Sequence, residues 1–430
     1  MKCVLTKKQR PVFSKRGATV RKSFLLPAIL ISSFIASAPV AGPATAAEPV
    51  TQAAAAAVKV GDPVSEAQFA WLLFVYAVQP ANGSLMFETW TEQCQLNPSM
   101  LGCPPPSATA TAGKARNFHG SALLEALRKK RGVGAAAAVV QPGIECNSMQ
   151  TTKLNGYPPP SNLSSTAQFC EEVFVNSSER DFIEQNGLKT LSGQQTYGAA
   201  HGNAVTFPWS AIEVKADWVP ASSFVAPSFS CPDKNLYTET INGTCYALVG
   251  LHISSKAKPD WVWATFEPAS SITNPNRCDP KLYNTCFDPW GTKSKVPYGK
   301  GKTVPQSVQL QQLMADFKLN PAFGNYYLTG VQTQFVDAKR KPIPLGSSFV
   351  EFNAGVNPGQ ASCITCHKYA YFDGKKPAPG NPEDNFGGAP NGWANIGYAC
   401  NTKNPKGNCT PVAPNSTSQD FSWILGLMPF

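Results

Sequence analysis

The sequence is poor in charge. Asp, Glu, Lys and Arg make up 15% of its 430 residues, where a soluble domain typically has about a quarter. It has four histidines and six methionines, so few side chains can offer an imidazole or a thioether to a metal. Residues 1–47 contain no acidic residue. After them no run of about 18 uninterrupted apolar residues occurs, which excludes a later membrane-spanning helix. No internal repeat is found, which excludes a solenoid. Proline (38) and glycine (33) fall short of the share that marks low-complexity chains. What remains is a globular, loop-rich chain, long enough for two or three domains with a sizeable core.

The formal charge of +10 is concentrated at one end. Lys2, Lys7, Lys8, Arg10, Lys15, Arg16, Arg21 and Lys22 all lie in residues 1–47. Removing those eight leaves 29 basic against 27 acidic residues, about +2. A nucleic-acid binder needs its basic surplus on the folded surface, so nucleic acid is set aside as a partner. The basic stretch is followed by the apolar run Phe24–Phe34 and then by ATAAEP, with small residues before Ala46 and Ala47. That order is a secretory signal, expected to be cleaved near residue 47, and it places the mature protein in the periplasm, where disulfides persist.

Of the 13 cysteines, Cys3 goes with the signal and Cys363 and Cys366 belong to a motif. The other ten fall into near-neighbour couples around Pro-, Asn- or Gly-containing loops. Five local disulfides are expected: 94–103, 146–170, 231–245, 278–286 and 400–409.

Hydrophobic patterning predicts an α+β fold, β-rich with a few helices and stapled by disulfides. Helices are expected at 65–79, 121–131 and 307–318. Strands are expected at 205–219 and 326–336, with a hairpin of 245–255 and 261–267. The expected division is a signal over 1–47, a β-rich domain with N-terminal helices over 48–300, and a C-terminal domain over 301–430. Glu213, Lys215 and Asp217 alternate as a polar strand face, expected to be solvated. Trp261 and Trp263 face one side of the sheet, as core or as an electron path.

One motif carries chemistry. Cys363-x-x-Cys366-His367 is the attachment signal for c-type haem. Two thiols three positions apart can form thioethers with the two vinyl groups of one porphyrin, and the adjacent histidine becomes the proximal iron ligand. A thioredoxin-like site would need a βαβ pattern, and a zinc site a second close cysteine pair; neither is present. One haem c is therefore expected, held by Cys363, Cys366 and His367. For the sixth position of the iron, Met428 and His252 are the candidates. Against each stands a plain alternative: Met428 as a chain-end or core residue, and His252 as a histidine bonded within its sheet.

The segments WLLFVYAVQP (71–80), FETW (87–90), FPWSAIEVKADW (207–218), LVGLHISSK (248–256), WVWATFEP (261–268), SCITCH (362–367) and DFSWIL (420–425) resemble a bacterial group of exported single-haem "cytochrome c family" proteins. The resemblance covers most of the mature chain. It implies covalent haem at Cys363 and Cys366 with His367 as ligand, and names no substrate. A further similarity is to the β-rich cytochromes c-prime and the related hydroxylamine-oxidising cytochromes, where C-x-x-C-H follows a sheet. Asp420–Phe421 is similar to the Asp-aromatic segment that comes after the motif in that group. The similarity implies five-coordinate haem, and in the enzymes a cross-link to lysine. This chain departs from that group in its greater length and its Gly/Pro/Asn-rich insert over 373–400, and no lysine is assigned.

Two functions follow as expectations. One is periplasmic electron transfer with a redox partner protein. The other is an oxidoreductase or sensor with an open iron site, acting on a small nitrogen compound or another small molecule.

Overall fold

Asp62 starts α1 (Pro63–Val78), the longest helix among the described residues, by accepting the backbone N–H of Ser65 at 3.2 Å, with Pro63 in its first turn. Proline needs no N–H at that position, and a carboxylate there satisfies an orphan donor. The helix stops at Gln79, ahead of Pro80. It is apolar on nearly all sides, as a helix sandwiched between other elements must be. In the computed structural model, residues 50–100, 103, 139–141, 144–149, 153, 157–160, 162–225, 229–270, 276–280, 286–339, 343–353, 356–368, 370–372, 416–426 and 428 are described. They belong to one compact unit, Glu48–Phe430. The expected signal, the helix at 121–131 and the Cys400–Cys409 pair lie outside the described residues.

Nine described strands form one antiparallel sheet: β1 (Thr91–Glu92), β2 (Val139–Gln141), β3 (Ile144–Ser148), β4 (Gln168–Val175), β5 (Ile212–Pro220), β6 (Thr238–Ile241), β7 (Thr244–Ser255), β8 (Val262–Pro268) and β9 (Tyr326–Gln332). The order across the sheet is β9-β8-β7-β5-β4-β3-β2, with β1 pairing β4 and β6 pairing β7. The hairpin and the 326–336 strand are found where expected, the latter ending at Gln332. The 205–219 prediction holds only from Ile212, because Pro208 lacks the N–H a ladder needs. The sheet crosses the expected boundary at 300, since β9, from beyond it, pairs β8 along six positions.

Alternation decides the two faces. Val214, Ala216, Leu251, Ile253, Ala264 and Phe266 point one way and join α1 in a single core. Phe266 lies 4.9 Å from Trp71 and 4.5 Å from Phe74, centroid to centroid. Burying one such phenyl ring contributes about 1.5–3 kcal/mol. Three more helices are α2 (Ser177–Gln185), α3 (Leu191–Ala200) and α4 (Val308–Asp316), the last beside α1 and within the expected 307–318.

Four of the expected disulfides are present: Cys94–Cys103, Cys146–Cys170, Cys231–Cys245 and Cys278–Cys286. Cys363 and Cys366 are free. No helix among the described residues is long and apolar enough to cross a membrane.

Candidate functional site

The opposite face of the sheet carries the chemistry-bearing side chains. Glu213, Lys215 and Asp217 of β5 stand on it, with Ser254, His252 and Gly250 facing them on β7 and Trp263 and Thr265 on β8. The expectation that the β5 residues are solvated is wrong. Asp217 is fully buried and Glu213 nearly so. The reason is a cover assembled from distant sequence: residues 343–353, 362–367 and 416–426 pack over this face.

The motif forms a short helix, α5 (Cys363–His367), capped by Ser362, whose hydroxyl accepts the Thr365 N–H. At i and i+3 the two cysteines share a face of the turn. Gln332, at the end of β9, anchors this helix to the sheet edge. Its amide donates to the Ser362 hydroxyl at 3.1 Å and accepts the Ile364 N–H at 3.2 Å. Gln332 is wholly buried, so neither half of that amide can be lost without leaving an unsatisfied group.

His367 is fixed by two contacts. Its Nδ1 donates to the Phe421 carbonyl at 2.8 Å in the neutral tautomer that this bond selects. Its ring lies 4.4 Å from that of Trp263. Burial drives its pKa down to about 3, against the opposing pull of the Phe421 carbonyl, so it is neutral. Burial, reinforced by Glu351, raises both thiols, Cys363 well above its ordinary value and Cys366 to about 12. The site therefore presents two protonated thiols and a neutral imidazole.

Beside Cys363 lies a row of ionisable groups. The ligating atoms of His252, Glu351 and Cys363 all fall within 4.8 Å of one another. His252 Nδ1 meets the Thr265 hydroxyl at 3.2 Å, and Nε2 is 3.4 Å from Asp217 Oδ2. Burial pushes the Asp217 carboxyl well up, with Glu171 adding to it and Lys215 opposing, while burial lowers His252. Lys215 pairs with Glu171 at 3.0 Å. Gly250 is required here, since a Cβ on it would sit 2.5 Å from the Asp217 carboxylate.

The two candidates for a sixth ligand sit in different surroundings. His252 lies in this row. Met428 is fully buried in an apolar cluster with Leu425, Ile424, Trp261 and Ile364. Lys215, Asp217, Glu351 and the Phe421 carbonyl are site groups that sequence reasoning missed. The polar residues on alternate positions of β5 were the available signal.

No protein-family profile, curated protein or solved structure matches this chain.

Proposed function

We propose that this protein is an exported, periplasmic single-haem cytochrome, with haem c bound through Cys363 and Cys366 and with His367 as proximal iron ligand. The observation that carries it is the donor set of α5. It has two free thiols on one face of a helical turn, and a neutral histidine whose Nδ1 is already committed to the Phe421 carbonyl. That leaves Nε2 as the ligand atom, and a hydrogen bond on the second nitrogen is how proteins orient a metal-bound imidazole. The residues fit the group: each thiol adds its S–H across one vinyl C=C, giving two thioethers and no by-product. When bound, the haem supplies a one-electron couple or, with an open position, a site for a small ligand.

Electron transfer is the first reading, and the aromatic contacts support it. Trp261 and Trp263 stack with centroids 6.0 Å apart, and Trp263 touches the His367 ring. A redox partner protein completes this reading. The second reading, an open-site oxidoreductase or sensor for a small nitrogen compound, is favoured by the His252–Asp217–Lys215–Glu351 row. Those groups offer proton donors and acceptors next to Cys363, where catalysis on a bound ligand needs them.

Absorption spectra of the mature protein, oxidised and reduced, with and without carbon monoxide, test both. A c-type reduced spectrum unmoved by carbon monoxide supports electron transfer. A shift on carbon monoxide supports the open site. The absence of a haem spectrum removes both.

A further inference from the structure

A cavity with a volume of about 370 Å³ lies at the end of β8 and β9, away from the cysteine motif. That volume is within the range of small-molecule sites. Trp71, Tyr298, Tyr326 and Tyr327 give it aromatic walls, and Arg277 reaches its lining.

Arg277 is the unexplained residue. It is 5% exposed, and a guanidinium has five N–H donors that never deprotonate in water. One terminal nitrogen bonds the Gly301 carbonyl at 2.8 Å and the Thr303 hydroxyl at 3.3 Å. Among the described residues no carboxylate forms an ion pair with it. Glu267 attracts it without an ion-pair contact, and burial outweighs that attraction; a buried cation so incompletely compensated is costly, and proteins rarely retain one without a use. The cavity's one buried acid, Asp288, is already occupied: its carboxylate accepts the Trp71 indole N–H and the Gly291 N–H, each at 2.6 Å. Lys302 adds a second positive charge at the lining.

We infer that this cavity binds a small organic carboxylate with a planar apolar body, its carboxylate paired with Arg277 and its body between the aromatic side chains. A guanidinium fork matches a carboxylate in two parallel hydrogen bonds, whereas a neutral analogue would leave the charge unpaired. The aromatic walls favour an organic anion over bare phosphate, because they return binding free energy only to apolar surface.

The test uses the full mature chain and benzoate as probe, with benzyl alcohol and inorganic phosphate as comparisons. Titration calorimetry gives the affinity, and the indole N–H resonance of Trp71 reports occupancy of this cavity. Saturable benzoate binding at roughly millimolar strength with movement of the Trp71 resonance is expected. Arg277→Gln should weaken it about ten-fold or more, the loss of a charged hydrogen bond. Should Arg277→Gln fail to fold, Lys302→Ala, at an exposed position, still reads the charge dependence through a smaller loss. No saturable binding, benzyl alcohol or phosphate binding as tightly as benzoate, or an Arg277→Gln protein that binds unchanged would overturn the inference. None of these outcomes depends on haem.

Discussion

His367 Nδ1 lies 2.8 Å from the carbonyl oxygen of Phe421, 54 residues further along the chain. The motif histidine is thus oriented by a segment that sequence distance gives no reason to place there. That segment is held in turn by Asp420, whose carboxylate pairs with Lys256 at 2.6 Å and accepts the Phe207 N–H at 2.8 Å.

Lys256→Met should therefore destabilise the protein by about 3–5 kcal/mol, because it leaves Asp420 buried without its counter-ion. Adding Asp420→Asn should recover a substantial part. Urea unfolding of the single and double variants checks this; equal loss in both would break the link.

Gly250→Ala places a methyl group against Asp217 and should cost about 1–3 kcal/mol. Combining it with Asp217→Ala removes the clashing carboxylate, so the double variant should lose less than the two single losses summed. A double-mutant cycle by chemical denaturation measures that coupling.

Burial holds the Asp288 carboxyl at about 6, above its ordinary 3.8, despite the Trp71 and Gly291 donors. A raised acid binds its proton more tightly in the folded state. Its contribution is therefore full below about pH 4 and is lost as pH rises through 6. The whole difference is worth up to about 3 kcal/mol. Asp288→Asn should flatten stability between pH 4 and 7 relative to the parent protein. Thermal melts across that range would show parallel curves if the carboxyl were unperturbed.

Joining β3 to β4, Cys146–Cys170 closes the longest of the four loops, with a separation of 24 residues. Replacing both cysteines by alanine should cost about 2–4 kcal/mol. Non-reducing peptide mapping should recover all four local pairs; cross-linked peptides from distant couples would contradict the pairing.

What could be read from the sequence was local. The helix at 65–79, the hairpin and the disulfide couples all depend on residues a few positions apart. The motif was legible for the same reason. The fate of Glu213, Lys215 and Asp217 was not, because alternation shows that three side chains share a face without showing what covers it. Much of their cover comes from residues more than 120 positions later, with Glu179 of α2 meeting Glu213 from the other direction. Asp420–Phe421 was visible only as a resemblance; that Phe421 holds His367 through its backbone carbonyl, which every residue has, left no mark in the sequence.

Covalent haem on Cys363 and Cys366 is open to a direct test by intact mass measurement of the mature protein. The expected mass exceeds the polypeptide by one haem, lost to denaturing extraction only when both Cys363→Ala and Cys366→Ala are introduced. A polypeptide mass without haem, with Cys363 and Cys366 recovered as free thiols or as a disulfide, would contradict it.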